Sequence, residues 1–318
     1  MTPFDGMTET STCEQVFLDD VVTGLGRAPK SLSPKYFYDS VGSELFDAIC
    51  DLPEYYVTRT ETAILEEHAG AIADELGVCR LVEPGAGSST KTRLLLRALG
   101  ERCTEYVPVD IAGDHLERSA ATLRTELPWL RVTPLAGDFS VDLAVPAASG
   151  DERTVIYFPG STLGNFDPED ARRLLARFAR AAGQGGSVLV GIDLKKDPQL
   201  LHAAYNDAQG VTAAFNKNVL RRMNDELGAD VDLDAFHHYA FYAPNEGRIE
   251  MHLVSAKPQT LHVGSHAFEL GAGESICTER SYKYDVAGAA EVANAVGLRL
   301  RRTWLDAAQR FAVLLFDA

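Results

Sequence analysis

Between residues 60 and 195, short apolar runs alternate with segments of helical spacing, and this alternation limits the fold more than any other feature. "CRLVEPGAG" reads as a buried strand ending in a glycine turn. "TKTRLLLRALG" follows as a helix, with Leu94, Leu95, Leu96 and Leu99 on its apolar side. "TEYVPVDIA" and "RVTPLAGDFS" read as a second and a third strand, each ending in an aspartate, with the helix "GDHLERSAATLRTEL" between them. "RTVIYFPG" is a fourth strand. "PEDARRLLARFARAA" is a helix with Pro168 at its start and Asp167 as its cap, and "GGSVLVGIDL" is a fifth strand. Strands that alternate with helices predict a parallel sheet covered on both faces, an α/β fold of Rossmann-like type.

The rhythm breaks after residue 195. The next ninety or so residues hold a helical stretch, "AAFNKNVLRRMNDELG", and strand-like runs, "RIEMHLVS" and "QTLHV". It resumes at the end of the chain with the helix "VAGAAEVANAVG" and two strands, "LRLRRTWLD" and "RFAVLLFDA", spaced to pair antiparallel. The expected organisation is a core of residues 61–195 and 286–318. A second domain is assembled from the N-terminal segment 15–60 and the insertion 196–285.

Composition narrows the functions open to such a fold. The 318 residues carry a net charge of −16, so nucleic acid and anionic membrane surfaces repel the chain. No segment approaches the ~20 apolar residues of a membrane helix. "MTPFDGMTETSTCEQ" is polar and acidic, unlike a signal peptide. The five cysteines are scattered and form no CxxC pair, which reads as free thiols in a reducing cytoplasm. Only His237 and His238 cluster among the histidines. Neighbours in sequence chelate poorly, so no metal is expected.

Ligands of open α/β sheets bind beyond the carboxyl ends of the strands. The first such end is "EPGAG", Glu83 to Gly87. Its glycines suit a tight turn against a ligand, but Thr90 occupies the third glycine position of a dinucleotide fingerprint, which speaks against a dehydrogenase. Asp110 ends the second strand, where a carboxylate can accept both hydroxyls of a ribose. Asp138 and Phe139 end the third, placed for an adenine edge and face. That order of acid, glycine turn, ribose acid and adenine acid looks like an S-adenosylmethionine-dependent methyltransferase. A last strand running antiparallel suits the same reading. A fourth strand end, "FPGSTLGNF", offers bare backbone at Gly160 and an amide at Asn165 to a small polar ligand.

Six segments in order carry a more specific likeness: "SPKYFYDSVGSELFDAICDLPEYYVTRTE", "GAGSSTKT", "FPGSTLGNF", "GVTAAFNKNVL", "RIEMHL" and "CTERSYKY". From about residue 20 to its end the chain resembles the histidine Nα-methyltransferases of ergothioneine biosynthesis, a family that also includes fungal enzymes acting on a prenylated tryptophan. The resemblance implies a methyltransferase core plus a second, inserted substrate-binding domain. It implies cofactor contacts at Gly85, Lys91, Asp110, Asp138 and Phe139. It places Asn165 and Tyr205 at the substrate carboxylate and Tyr55 between substrate and cofactor. Tyr38, as the catalytic group, and the Gly160 backbone come near the amine. Glu279 and Ser281 of "TERS" are implied at the imidazole, with Arg280 between them, and Met251 as a pocket wall.

The implied reaction methylates the α-amine of L-histidine up to the trimethylated betaine, hercynine, with S-adenosyl-L-homocysteine as by-product and no metal. The expected protein is a cytoplasmic monomer whose partners are histidine and its mono- and dimethyl forms. Two alternatives stay open on the residues alone: an N-methyltransferase for another amino acid such as a tryptophan derivative, and a non-catalytic S-adenosylmethionine sensor.

Overall fold

A computed structural model of the protein describes residues 9–87, 90–111, 113–141, 143, 145–146 and 152–318. Ser88 and Ser89 of "GAGSSTKT" lie outside the described residues, as do residues 1–8. The chain divides into two compact units. One holds the chain up to Tyr56 together with Lys196–Ser281, the other Val57–Lys195 together with Tyr282–Ala318.

The second unit is built on one sheet. Across it the strands run Arg299–Leu305, Phe311–Asp317, Ser187–Asp193, Arg153–Phe158, Cys79–Pro84, Cys103–Asp110 and Arg131–Val132. All neighbours are parallel except Phe311–Asp317, which is antiparallel to both of its own. Every residue of Cys79–Pro84 and of Ser187–Asp193 is buried, as a parallel sheet covered on both faces requires. On one face the helices Pro168–Ala182 and Val286–Asn294 pack Leu174, Phe178, Ala289 and Ala293 against Val82, Ile156, Val190 and Leu314. On the other, the helix Tyr56–Leu76 brings Glu61 against Gly191.

From Cys79–Pro84 the chain moves outward to one edge, then returns to Arg153–Phe158 on the opposite side. This reversal opens a crevice at the carboxyl ends of those two strands, the place where such sheets bind ligands. "EPGAG" and "FPGSTLGNF" are the two loops that leave there.

Three expectations need correction. The third strand is only two short pieces, Arg131–Val132 and Leu135–Ala136, because Pro134 has no N–H to continue the ladder. Asp167 stands at the N-cap of its helix but makes no side-chain cap; its Oδ1 accepts the Tyr282 hydroxyl at 2.9 Å instead. The units divide at 56/57 and 281/282, each four residues before the expected junction, and at 195/196. The helix containing Glu61 is continuous from Tyr56. Residues 282–284 are tied to the core by the Lys283–Asp193 ion pair at 3.0 Å and by the bridge between Leu194 and Tyr284.

In the first unit a four-stranded sheet runs Lys30–Ser31, Ser275–Tyr282, Arg248–Ser255 and Phe236–Ala243. Arg248–Ser255 buries every second residue, the mark of a sheet with one covered face. The junction around Tyr38 is fixed by sequence-distant contacts. Asp39 caps the helix Ser40–Asp51 through Gly42 N at 2.7 Å, and Asn218 Nδ2 binds both Asp39 Oδ1 at 2.8 Å and the Phe37 carbonyl at 3.0 Å. Gly42 is required there, because a Cβ would lie 1.7 Å from the Phe37 oxygen.

Candidate active site

In the second unit, Gly85 turns with φ +71° and Gly87 with φ +46°, a region that β-carbons disfavour. A Cβ at Gly85 would also sit 3.2 Å from the Phe139 ring, so the glycine makes room for that aromatic group. Asp110 ends its strand beside this turn, with Gly87 N 3.4 Å from Oδ2. Beyond the next strand end lies a cleft of about 370 Å³ lined by Val109, Leu135, Ala136, Gly137 and Asp138. A mostly apolar slot with a carboxylate in its wall suits a flat, uncharged purine edge. Asp138 is held by its own turn, accepting Ser140 N at 2.8 Å and Ser140 Oγ at 2.5 Å. The turn, the strand-end acid and the slot together fit an adenosine-bearing cofactor.

Beneath this turn lies a buried polar layer. Glu83, 2% exposed, accepts Thr92 Oγ1 at 2.8 and 2.7 Å and Tyr106 OH at 2.5 Å. Burial pushes its carboxyl up to about 7, against the pull of those hydrogen bonds. Lys91, which would by default be exposed on its helix, instead pairs with the fully buried Glu61.

The "FPGSTLGNF" loop is conformationally demanding. Gly160 has φ +79° and Ser161, a non-glycine, φ 59°. Ser161 Oγ accepts Asp193 N at 2.9 Å, which holds the strained residue. A Cβ at Gly164 would meet the Tyr282 oxygen at 2.6 Å. The Gly160 N–H donates to Glu61, so a ligand here would use the Gly160 carbonyl and not its amide. Asn165 ends the loop half-buried.

The first unit gathers the aromatic and acidic candidates. Burial, with Tyr205, Cys50, Tyr38 and Glu279 close by, holds the Tyr55 phenol well above its ordinary pKa. Tyr38 meets Phe46 and Phe215 at 5.7 and 5.5 Å between ring centroids, and Phe46 meets Tyr55 at 6.3 Å. Glu279 is 8% exposed. Tyr205 OH donates to Ser281 Oγ at 2.9 Å, so the residue expected at the carboxylate and the one expected at the ring touch each other. Met251 is 1% exposed, and its carbonyl accepts Thr278 Oγ1 at 3.1 Å. Strand alternation turns Arg280 to the face opposite Glu279 and Ser281.

Sequence reasoning did not single out the support for Tyr205. His238 Nε2 lies 2.8 Å from the Tyr205 carbonyl and its Nδ1 2.9 Å from Asn216 Nδ2. The Asn216 Oδ1 accepts Thr278 Oγ1 at 2.6 Å. A carbonyl on one side and an amide donor on the other demand a neutral ring with the proton on Nε2. Burial lowers the His238 pKa below its ordinary 6.5. A depressed histidine favours folding above 6.5, and that contribution is lost as pH falls through and below this value. His238→Gln can keep both hydrogen bonds without titrating. Its stability deficit against the natural protein, followed by urea midpoints from pH 8 to 5, is expected to shrink toward acid. A constant deficit would uncouple His238 protonation from folding.

Among the described residues one trio has metal-ligand chemistry, Glu250, His252 and Cys277, with ligand atoms within 4.8 Å. Its groups already have partners. Glu250 binds Arg248 at 2.5 Å and His252 at 2.9 Å, and the other His252 nitrogen lies 3.1 Å from Ser275 Oγ. No helix among the described residues is long and apolar enough to cross a membrane.

The strand order, the single antiparallel strand and the crevice with its glycine turn and strand-end acids define an S-adenosylmethionine-dependent methyltransferase core. Residues 17–318 match the model of the SAM-dependent histidine-specific methyltransferases. The chain belongs to that family. It is 44% identical to a histidine N-alpha-methyltransferase of Mycolicibacterium smegmatis over 93% of both chains, and 41% identical to the protein of that name from Mycobacterium tuberculosis, again over 93% of each. It is also 30% identical to ergothioneine biosynthesis protein 1 of Neurospora crassa, over 70% of this chain and 28% of that one.

Proposed function

We propose that this protein transfers methyl groups from S-adenosylmethionine to the α-amine of L-histidine, successively to hercynine, as a step of ergothioneine biosynthesis. The observation that carries the substrate is Glu279. A buried carboxylate, with the Ser281 hydroxyl on the same strand face, suits a ring with N–H donors and is wasted on a carbocycle. The names of the relatives point the same way.

Gly85, Lys91, Asp110, Asp138 and Phe139 would hold the cofactor, which supplies an electrophilic methyl group when bound. Asn165 and Tyr205 would hold the substrate carboxylate, and Met251 would limit pocket volume. The amine must be unprotonated and about 3–3.5 Å from the methyl carbon, in line with the bond that breaks, so catalysis is mostly positioning. Tyr55, with its raised pKa, stays a neutral phenol that donates hydrogen bonds and does not serve as a base. Tyr38 or the Gly160 carbonyl would orient the amine lone pair. The rings of Tyr38 and Tyr55 would stabilise the cation as methyl groups accumulate. The chain is read as a cytoplasmic monomer that needs no metal.

The test is purified protein, S-adenosylmethionine, the twenty amino acids singly and histamine, read by mass spectrometry. Histidine is expected to gain up to three methyl groups and histamine, which lacks the carboxylate, almost none. Methylation of tryptophan in preference to histidine would favour the second reading. No transfer to any amine would favour a sensor.

A further inference from the structure

Glu61 closes the segment "EYYVTRTE", and nothing in the proposed reaction uses it. Its carboxylate is fully buried on the helix Tyr56–Leu76. Burying a carboxylate costs several kcal/mol unless charge and hydrogen bonds offset it. Here the offset comes from two directions. The Lys91 ammonium pairs with Oε2, and the Gly160 N–H donates to Oε2 at 2.9 Å and Oε1 at 3.1 Å. The two donors are neighbours, since the Lys91 nitrogen is 3.4 Å from where a Gly160 Cβ would stand. The sheet is cut to fit the same carboxylate. A Cβ at Gly191 would lie 2.1 Å from Glu61 Oε1, so only glycine admits the group at that point of the strand.

Lys91 lies in the first turn of the helix Thr90–Leu99 that follows the "EPGAG" turn, and Gly160 lies in the loop after the next strand of the sheet. One carboxylate therefore spans the two loops that flank the crevice. We propose that Glu61 is a positioning residue. It fixes the Lys91 ammonium for the cofactor and the Gly160 peptide for the substrate amine, and so sets the two loops relative to each other. The inference rests on the assignment of Lys91 to the cofactor and of Gly160 to the substrate. The competing account is a buried ion pair that serves packing alone. Such a pair can often be exchanged for apolar residues with little loss.

Three variants separate these accounts. Glu61→Gln keeps an oxygen for the Gly160 N–H but removes the charge that faces Lys91. Lys91→Met removes the ammonium. Glu61→Leu combined with Lys91→Met removes both partners and leaves no unpaired buried charge, so it remains informative if Glu61→Gln does not fold. Calorimetry with S-adenosylhomocysteine reads the cofactor arm, and the KM for histidine against kcat reads the substrate arm. Loss of a hydrogen bond to a charged group corresponds to roughly tenfold or more in affinity.

Glu61→Gln is expected to weaken S-adenosylhomocysteine about tenfold and to change the histidine KM by less than about threefold. The double variant is expected to raise the histidine KM about tenfold above that of Lys91→Met alone. Two results would overturn the proposal. One is Glu61→Gln binding S-adenosylhomocysteine like the natural protein while Lys91→Met does not. The other is a double variant that matches Lys91→Met in both readouts. If Lys91→Met itself binds S-adenosylhomocysteine normally, the cofactor assignment of Lys91 has failed, a different outcome from failure of Glu61.

Discussion

Replacing Glu279 by alanine is expected to remove most activity on histidine and to narrow the gap between histidine and phenylalanine. In the natural protein, phenylalanine would leave the buried Glu279 carboxylate and the Ser281 hydroxyl without ring partners. Sites built on substrate hydrogen bonds reject analogues that lack them by roughly 10⁴-fold or more. The alanine variant lacks the penalty along with the charge. Misfit against Met251 alone is worth about 1–3 kcal/mol per methylene-sized change, far less than the polar selection. The measurement is the ratio of kcat/KM for histidine to that for phenylalanine in both proteins. A ratio that does not fall would place Glu279 outside the ring pocket and reopen the tryptophan-type reading.

Asp110→Ala is the second large effect. The carboxylate stands at the end of its strand beside the glycine turn, where it would accept both ribose hydroxyls. Two charge-assisted hydrogen bonds together correspond to a loss of roughly a hundredfold or more in affinity. S-adenosylhomocysteine titrated calorimetrically is expected to bind that much more weakly, and circular dichroism to show an intact fold. Undiminished affinity would remove the ribose site from this strand.

How much of this was legible follows from how local each signal is. The strands Cys79–Pro84 and Ser187–Asp193 announce themselves as largely apolar runs, because a strand buried on both faces favours apolar side chains on each, with Arg80, Glu83 and Asp193 as buried polar exceptions. The Arg131–Ala136 segment looked like one strand because its apolar content masked the single missing donor at Pro134. Asp167 has the residue type and position of a cap, yet a tyrosine 115 positions away takes its carboxylate. Arg280 shared a motif with Glu279 and Ser281, but adjacency in a strand means opposite faces.

The sequence by itself determined the alternation of strands and helices, the ends at which Gly85, Asp110, Asp138 and Asn165 stand, and the motifs that mark the family. These depend on backbone periodicity and on turn chemistry, which act over a few residues. Tertiary structure alone decided what those groups touch. Glu61 meets Lys91 across 30 positions and Gly160 across 99, and Tyr205 meets Ser281 across 76. A glutamate on a helix reads locally as a solvated residue. It becomes a buried brace between two loops only when packing closes the interior around it and brings the ammonium and the amide to it to offset lost water.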